Sequence, residues 1–457
     1  WGDGKPDVDI NAVLERGDIS RFGDYWPESL MGETTLHWLR TSLLSGQVLN
    51  GRFSMVGDLD DFPFVNHAGR LQAIAAGQGV NIRYADDWPY VKQVEGTAYF
   101  EGRSMMVEGK IGDTAGAVVN RATASIADFS QPVLDVSYQT TAALPDMVRF
   151  IRYTPLLDGL ELNLEQFVFE GEAKIDGQIH MELGESAEPL QVTGNLQLNN
   201  NRFTDLSSGV VIDGISGNLG YDREGIKATG LPGLFKDYPV TLDIFSNWSA
   251  DEVFRTHVYG ELPVDRVIPD ELFEIEPLFY RASGTSHWDV SLSVASAEGI
   301  EGREVWLEVY SELEGVSIDL PAPLAKDSYS TWPLLVRYPV QAAKHIVTAD
   351  FPGSIQLKME LSKDDSTPVR AAIELDGKVE TLPEKGLFIV NGSTSMFDLE
   401  GWIDLAVDQF SGTEESDGLT LKTARVDAGR ISVFDRQFDD VGLRMTYEEG
   451  VITGTFD

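Results

Sequence analysis

Cysteine is absent from the chain, and that one gap removes disulfides, thiolate zinc sites, iron–sulfur ligation and cysteine nucleophiles. The absence fits a bacterial envelope compartment without requiring it. Basic residues are scarce: 35 Lys and Arg stand against 74 Asp and Glu, a formal net charge of −39. A nucleic acid held by phosphate neutralisation needs a clustered basic face, and so negative a field repels phosphates, which speaks against nucleic acid as a partner. Long apolar runs are missing too. Stretches such as Leu334-Leu335-Val336 and Ala73-Ile74-Ala75-Ala76 are only a few residues long, against the roughly 18 to 20 that span a bilayer. Beginning at Trp1 and ending at Asp457 in a strand-like run, the chain is read as a segment of a longer protein, with any signal or anchor outside it.

Apolar material is nevertheless plentiful. With 42% hydrophobic and 10% aromatic residues the chain is no disordered acidic tail. Its 457 residues exceed the roughly 250 to 300 at which single cores stop growing, which leaves two to four domains or one extended architecture.

Period-2 alternation dominates, in short runs broken by the turn formers Gly, Asp and Asn. The clearest block spans residues 160–183: Leu160, Leu162 and Leu164 alternate with Glu161, Asn163 and Glu165. Phe167, Phe169, Ala173 and Ile175 follow, then Ile179, Met181 and Leu183 against Gln178, His180 and Glu182. One face is oily and the other polar. The runs Val290-Leu292-Val294, Val305-Leu307-Val309, Val316-Ile318-Leu320 and Ile355-Leu357-Met359-Leu361 obey the same rule, and 44 glycines fit frequent turns and bulges. This predicts a mainly-β protein.

Helical signals are few. Glu28 to Ser45 follows Pro27, aligns Leu36, Leu39 and Leu43, and meets Gly46 as a terminator. Shorter helices are expected from Pro145 towards Pro155 and near Val264 to Phe273, the latter weakened by Pro269. A loose repeat runs Val94-x-Gly96-x-Ala98-x-Phe100, Ile215-x-Gly217-x-Leu219-x-Tyr221 and Val441-x-Leu443-x-Met445-x-Tyr447; duplication and generic strand patterning explain it equally well. No Pro/Ser-rich linker interrupts the chain, and Ser362–Pro368 and Gly412–Gly418 suit exposed hairpin loops. One continuous elongated sheet over residues 1–457 is expected, with a helix-containing part at 1–150, a central β part at 151–330 and a C-terminal β part at 331–457.

Catalytic signatures do not emerge. Six histidines, at 37, 67, 180, 257, 287 and 345, lack zinc-helix spacing, although their clustering in space stays open. His180 is expected to face solvent. No G-x-S-x-G elbow, Walker loop or G-x-G-x-x-G fingerprint occurs. Acidic pairs are too common to mark a glycosidase; Asp60-Asp61, Asp86-Asp87 and Asp439-Asp440 are assigned to turns and solubilising charge. Asp7-x-Asp9-x-Asn11 resembles a calcium loop, but Ala12 stands where such a loop needs Gly and Asp18 where it needs Glu. No metal, cofactor or catalytic residue is therefore assigned. Apolar strand faces without enough helices to cover them leave two solutions: packed β-sandwiches with filled cores, or a long curled sheet whose concave face stays oily.

Particular residues bear on that choice. Tyr25-Trp26-Pro27, Trp38-Leu39, Leu44-Ser45-Gly46-Gln47-Val48, Gly57-Asp58-Leu59, Asp61-Phe62-Pro63-Phe64, Gly69-Arg70-Leu71 and Tyr84-x-x-x-Trp88-Pro89 occur in that order. Later come Leu231-Pro232-Gly233-Leu234-Phe235 with Pro239-Val240-Thr241-Leu242, and Ser311-Glu312-Leu313-Glu314-Gly315 with Leu320-Pro321-Ala322-Pro323-Leu324-Ala325-Lys326. Together these resemble the central part of the YhdP family, in the AsmA-like superfamily of Gram-negative envelopes. The resemblance implies a long twisted antiparallel β-sheet curled into an elongated hydrophobic groove, with a few short helices. It implies a periplasmic segment of a bridge-like protein that carries phospholipids between inner and outer membranes without catalysis, anchored in the inner membrane by a helix outside this segment.

On that expectation Leu160, Leu162, Leu164, Phe167, Phe169, Ile175, Ile179, Met181, Leu183, Leu196 and Leu198 are the candidate lining for phospholipid acyl chains. Trp26, Trp88 and Trp332, each before Pro, are expected to be strand-end packing anchors. The acidic exterior disfavours adsorption to anionic membranes, and adaptation to a saline habitat explains it equally well. A filled-sandwich scaffold or adhesin and a carbohydrate-active β-protein are the alternatives.

Overall fold

A computed structural model describes residues 6–24, 33–62, 64, 68–84, 88–114, 116–153, 165, 167–183, 190–206, 209–247, 252–267, 281–296, 303–340, 345–352, 355–362, 367–410, 419–434, 436–448 and 451–456. The chain divides into two compact units: Trp1–Gly233 with Phe245–Trp248, and Leu234–Ile244 with Ser249–Asp457.

The alternating runs become strands. In order they are β1 (Asp7–Asp18), β2 (Leu43–Asp58), β3 (Gly69–Ile82), β4 (Val91–Glu101), β5 (Ser104–Thr114), β6 (Ala117–Ile126), β7 (Val133–Ala143), β8 (Phe167–Glu170), β9 (Glu172–Glu182), β10 (Gln191–Asp205), β11 (Val211–Asp222), β12 (Ile226–Phe235) and β13 (Tyr238–Ser246). From β1 to β7 each strand pairs antiparallel with the next. β9 then joins β7 to β10, β10 pairs β11, and short β8 lies against the far end of β10.

The second unit continues with β14 (Glu252–Pro263), β15 (Ala282–Ser296), β16 (Arg303–Ser311), β17 (Val316–Ile318), β18 (Leu334–Pro339), β19 (His345–Phe351), β20 (Ile355–Leu361), β21 (Pro368–Glu374), β22 (Leu387–Thr394), β23 (Phe397–Asp398), β24 (Thr420–Val433), β25 (Arg436–Glu448) and β26 (Val451–Phe456). Pairing is antiparallel from β14 to β21 and again from β24 to β26. Between them β21, β22 and β24 are parallel, as are β23 and β24. The protein is mainly β, as the alternation implies, but its pairing is mixed where purely antiparallel pairing was expected. Parallel neighbours need a crossover, and a helix at Leu399–Phe410 supplies it between β23 and β24. Gly412–Gly418, expected as an exposed hairpin loop, lies outside the described residues. The loop after Leu361 does join a hairpin, β20 to β21.

The helices are α1 (Glu33–Ser42), α2 (Leu144–Arg152), α3 (Val264–Val267) and α4 (Leu399–Phe410). α2 carries its proline in the first turn, where no amide donor is lost. α1 ends sooner than expected: Leu43 already begins β2. Gly46 does not end it. This glycine sits inside β2 at φ +136°, and a Cβ there would lie 2.8 Å from Val80 Cα, so close strand approach demands glycine.

α1 lays Leu36 and Leu39 on one end of the first unit's sheet, over Met105, Ile126, Phe129, Leu134 and Leu183. Phe129, 2% exposed, comes from the turn between β6 and β7. Asp128 holds that turn by accepting Ser130 N at 2.8 Å and facing Arg103 Nε at 3.0 Å. These bonds, chiefly those from Ser130, keep the Asp128 carboxyl below the ordinary value of 3.8. A depressed folded-state pKa gives stability that is present above the unfolded value and lost as pH falls through the folded one. Asp128→Asn is therefore expected to lower the melting temperature at neutral pH and to converge with the parent chain at the acid end, so that its stability falls less steeply below about pH 4, as melts across that range will test. In the second unit a separate core joins Leu375, Leu399, Val426, Ala428, Ile431 and Leu443.

Candidate functional site

Residues directly opposite in a ladder share a face, so the register assembles rows that single strands cannot show. Ile175 stands between Thr140 and Leu196, and Leu196 opposite Leu219. Ile179 stands between Val136 and Val192, and that row continues through Ala124, Val107 and Ala98 to Ala75. Leu198 is opposite Ala173. Ile175, Ile179, Leu196 and Leu198 are all half-buried, whereas Lys174, Asp176, Gln178 and His180 alternate outward and are exposed.

The other candidates divide by place. Leu183, 6% exposed, belongs to the core closed by α1, and Met181 packs against that core. Phe167 and Phe169 meet Phe203 with ring centroids 5.7 and 5.4 Å apart, and line a cleft of about 230 Å³ with Val148 and Arg152 of α2. Leu160, Leu162 and Leu164 lie outside the described residues. So do Trp26 and Asp86-Asp87. Trp88 packs between Tyr84 and Phe150 at 5.9 and 6.3 Å, and Trp332 donates its backbone N–H to Glu312 O at 2.7 Å just before β18.

Between the oily rows runs one of small residues and two tyrosines: Gly77, Gly96, Gly109, Ala122, Tyr138, Gly177, Gly194 and Tyr221 stand opposite one another in turn. The two tyrosine hydroxyls bond at 2.7 Å. Their rings occupy the space a side chain would take at Gly177, where a Cβ would lie 2.6 Å from Tyr138 Cζ. Burial pushes the Tyr138, Tyr221 and Tyr84 phenols above the ordinary value of 10.0, so they stay protonated.

Where β8 meets β9, Asn201, 2% exposed, donates through Nδ2 to Glu170 O and Glu172 O at 3.3 and 3.1 Å and accepts from Asn199 N at 2.7 Å. The register slips between Leu198 and Asn201, with Asn200 at φ +55°. Sequence alternation missed this joint; three consecutive asparagines were its signal.

His180 is exposed, as alternation predicts, and its Nδ1 lies 2.7 Å from Asp135 Oδ1. Register brings two other histidines together: His257 Nε2 bonds Asp289 Oδ1 at 2.7 Å, while His287 Nδ1 bonds Glu261 Oε1 at 3.2 Å. Among the described residues no group of three or more histidines and carboxylates is placed to hold a metal. Asp7, Asp9 and Asn11 lie along β1, extended rather than wrapped around a cation. Asp439 and Asp440, assigned to a turn, sit inside β25, where Asp439 pairs with Arg430 at 2.9 Å. No described helix is long and apolar enough to cross a membrane.

Comparison with known families matches residues 2–450 to the model described as YhdP protein. No curated protein and no solved structure matches the chain.

Proposed function

From the premise that the chain belongs to the YhdP family, an AsmA-like lipid-transport family whose model covers residues 2–450, we propose that it is a periplasmic stretch of a lipid bridge. It carries phospholipids between inner and outer membranes along an apolar groove, and an inner-membrane anchor outside this segment holds it. The observation that supports this is the set of half-buried apolar rows that carry Ile175, Ile179, Leu196 and Leu198. In a filled sandwich such side chains are sealed. Here they keep surface for a ligand.

A phospholipid acyl chain laid on those rows replaces water at about 0.8 kcal/mol per methylene. A sixteen-carbon chain thus gains on the order of 10 kcal/mol before ordering costs. Apolar contact is non-directional, so a chain slides between equivalent rows while its headgroup stays in water.

Native mass spectrometry with lipid extraction on the 457-residue chain tests the proposal. Stoichiometric phospholipid is expected. A reproducibly lipid-free, folded chain returns the protein to the filled-sandwich scaffold.

A further inference from the structure

A cleft of about 820 Å³ in the first unit is lined mainly by polar residues. Two neighbouring polar rows of the sheet line it. One row places Ser137, Gln178 and Thr193 opposite one another; the next places Gln139, Asp176 and Asn195. Neighbours along a row are about 4.8 Å apart, the strand spacing. Except for Asp176, which is a carboxylate, these side chains present amides and hydroxyls. Among the described residues, no side-chain hydrogen bond engages Gln139, Gln178, Thr193 or Asn195. An array of unspent donors and acceptors on a rigid lattice is pre-organised for a ligand that brings many of both.

Two further features narrow the ligand. Phe245, an aromatic left 46% exposed, stands on the lining. Charge there nearly balances, with Arg121 and Lys227 against Asp176, Asp222 and Glu224, in a chain of net −39. A phosphate finds no cationic excess there.

We propose that this cleft binds a neutral glycan strand, its hydroxyls paired by the Gln139, Gln178 and Asn195 amides and a sugar's C–H face stacked on Phe245. Planar amides suit vicinal hydroxyls because each offers a donor and an acceptor side by side. A pyranose ring has an apolar face that an exposed phenyl ring covers. The amides themselves alternate outward from the oily rows, so their substitution reads separately from lipid carriage. A bridge with such a site holds a polysaccharide alongside its shaft.

Titration of the 457-residue chain with chitotetraose, cellotetraose and maltotetraose, followed by calorimetry, tests this. At least one is expected to bind saturably by about 10 mM, as a Kd near 1 mM requires. Gln178→Ala combined with Asn195→Ala, and separately Phe245→Ala, are each expected to weaken binding roughly tenfold, worth about 1.4 kcal/mol. Melting curve and extracted lipid should stay unchanged, since the substituted side chains are exposed. Silence from all three sugars overturns the proposal, and so does undiminished binding by the folded variants.

Discussion

Replacing Ile175 or Leu196 by Asp is expected to strip phospholipid from the chain while leaving it folded. The two side chains face each other across β9 and β10, both half-buried. A carboxylate there still reaches water along the open face, so stability falls by about 1 kcal/mol. A lipid laid over the same spot has to desolvate the charge without a partner. That costs on the order of 3 kcal/mol, or roughly a 100-fold loss of retained lipid. In a sealed core the same substitution leaves an uncompensated buried charge, worth about 3–5 kcal/mol. Circular-dichroism melts beside lipid mass spectrometry separate the cases. Wholesale unfolding of both variants would sink the assignment of this face as a groove.

Phe129→Ala should do the opposite. Its ring is 2% exposed, lies 6.5 Å from Phe100 in a stacked arrangement, and fills the cluster under α1. Truncating a buried Phe costs about 3–5 kcal/mol through lost transfer energy and the cavity left behind. The melting transition of the first unit should fall by roughly 10 °C. Leu196→Ala is the control: a half-buried side chain without a sealed surround should cost about 1 kcal/mol. Equal losses from the two substitutions would mean that both faces are equally closed.

Family membership and these two contrasts bear on different levels. The family model covers nearly the whole chain and sets the transport class. Which side chains stay half-buried and which are sealed depends on what packs over individual strands. Met181 and Leu183 carry the same alternation as Ile175 and Ile179, yet α1 covers the end where they stand. Identical pattern thus has two fates, and the difference is a helix more than a hundred residues away in sequence.

Much was legible from the residues alone. Alternation located the strands around Ile175 and Leu196 and assigned their faces, because a period of two needs no knowledge of neighbours. Pro145 announced α2, and the His180 side chain points outward as its place between Ile179 and Met181 requires. The absence of cysteine and the excess of carboxylates bounded the chemistry before any fold was considered. Only the tertiary structure decided which strands meet, and in what register. It placed Tyr138 over Gly177 and against Tyr221, brought Asp289 between β14 and β16 to His257, and turned Gly46 from a helix end into a point of strand contact. It set β22 and β24 parallel around a crossover helix, and it aligned exposed amides from three strands into one cleft. The physical reason is that side-chain period is local to a strand, whereas pairing and register are settled by hydrogen bonds between segments far apart in the chain.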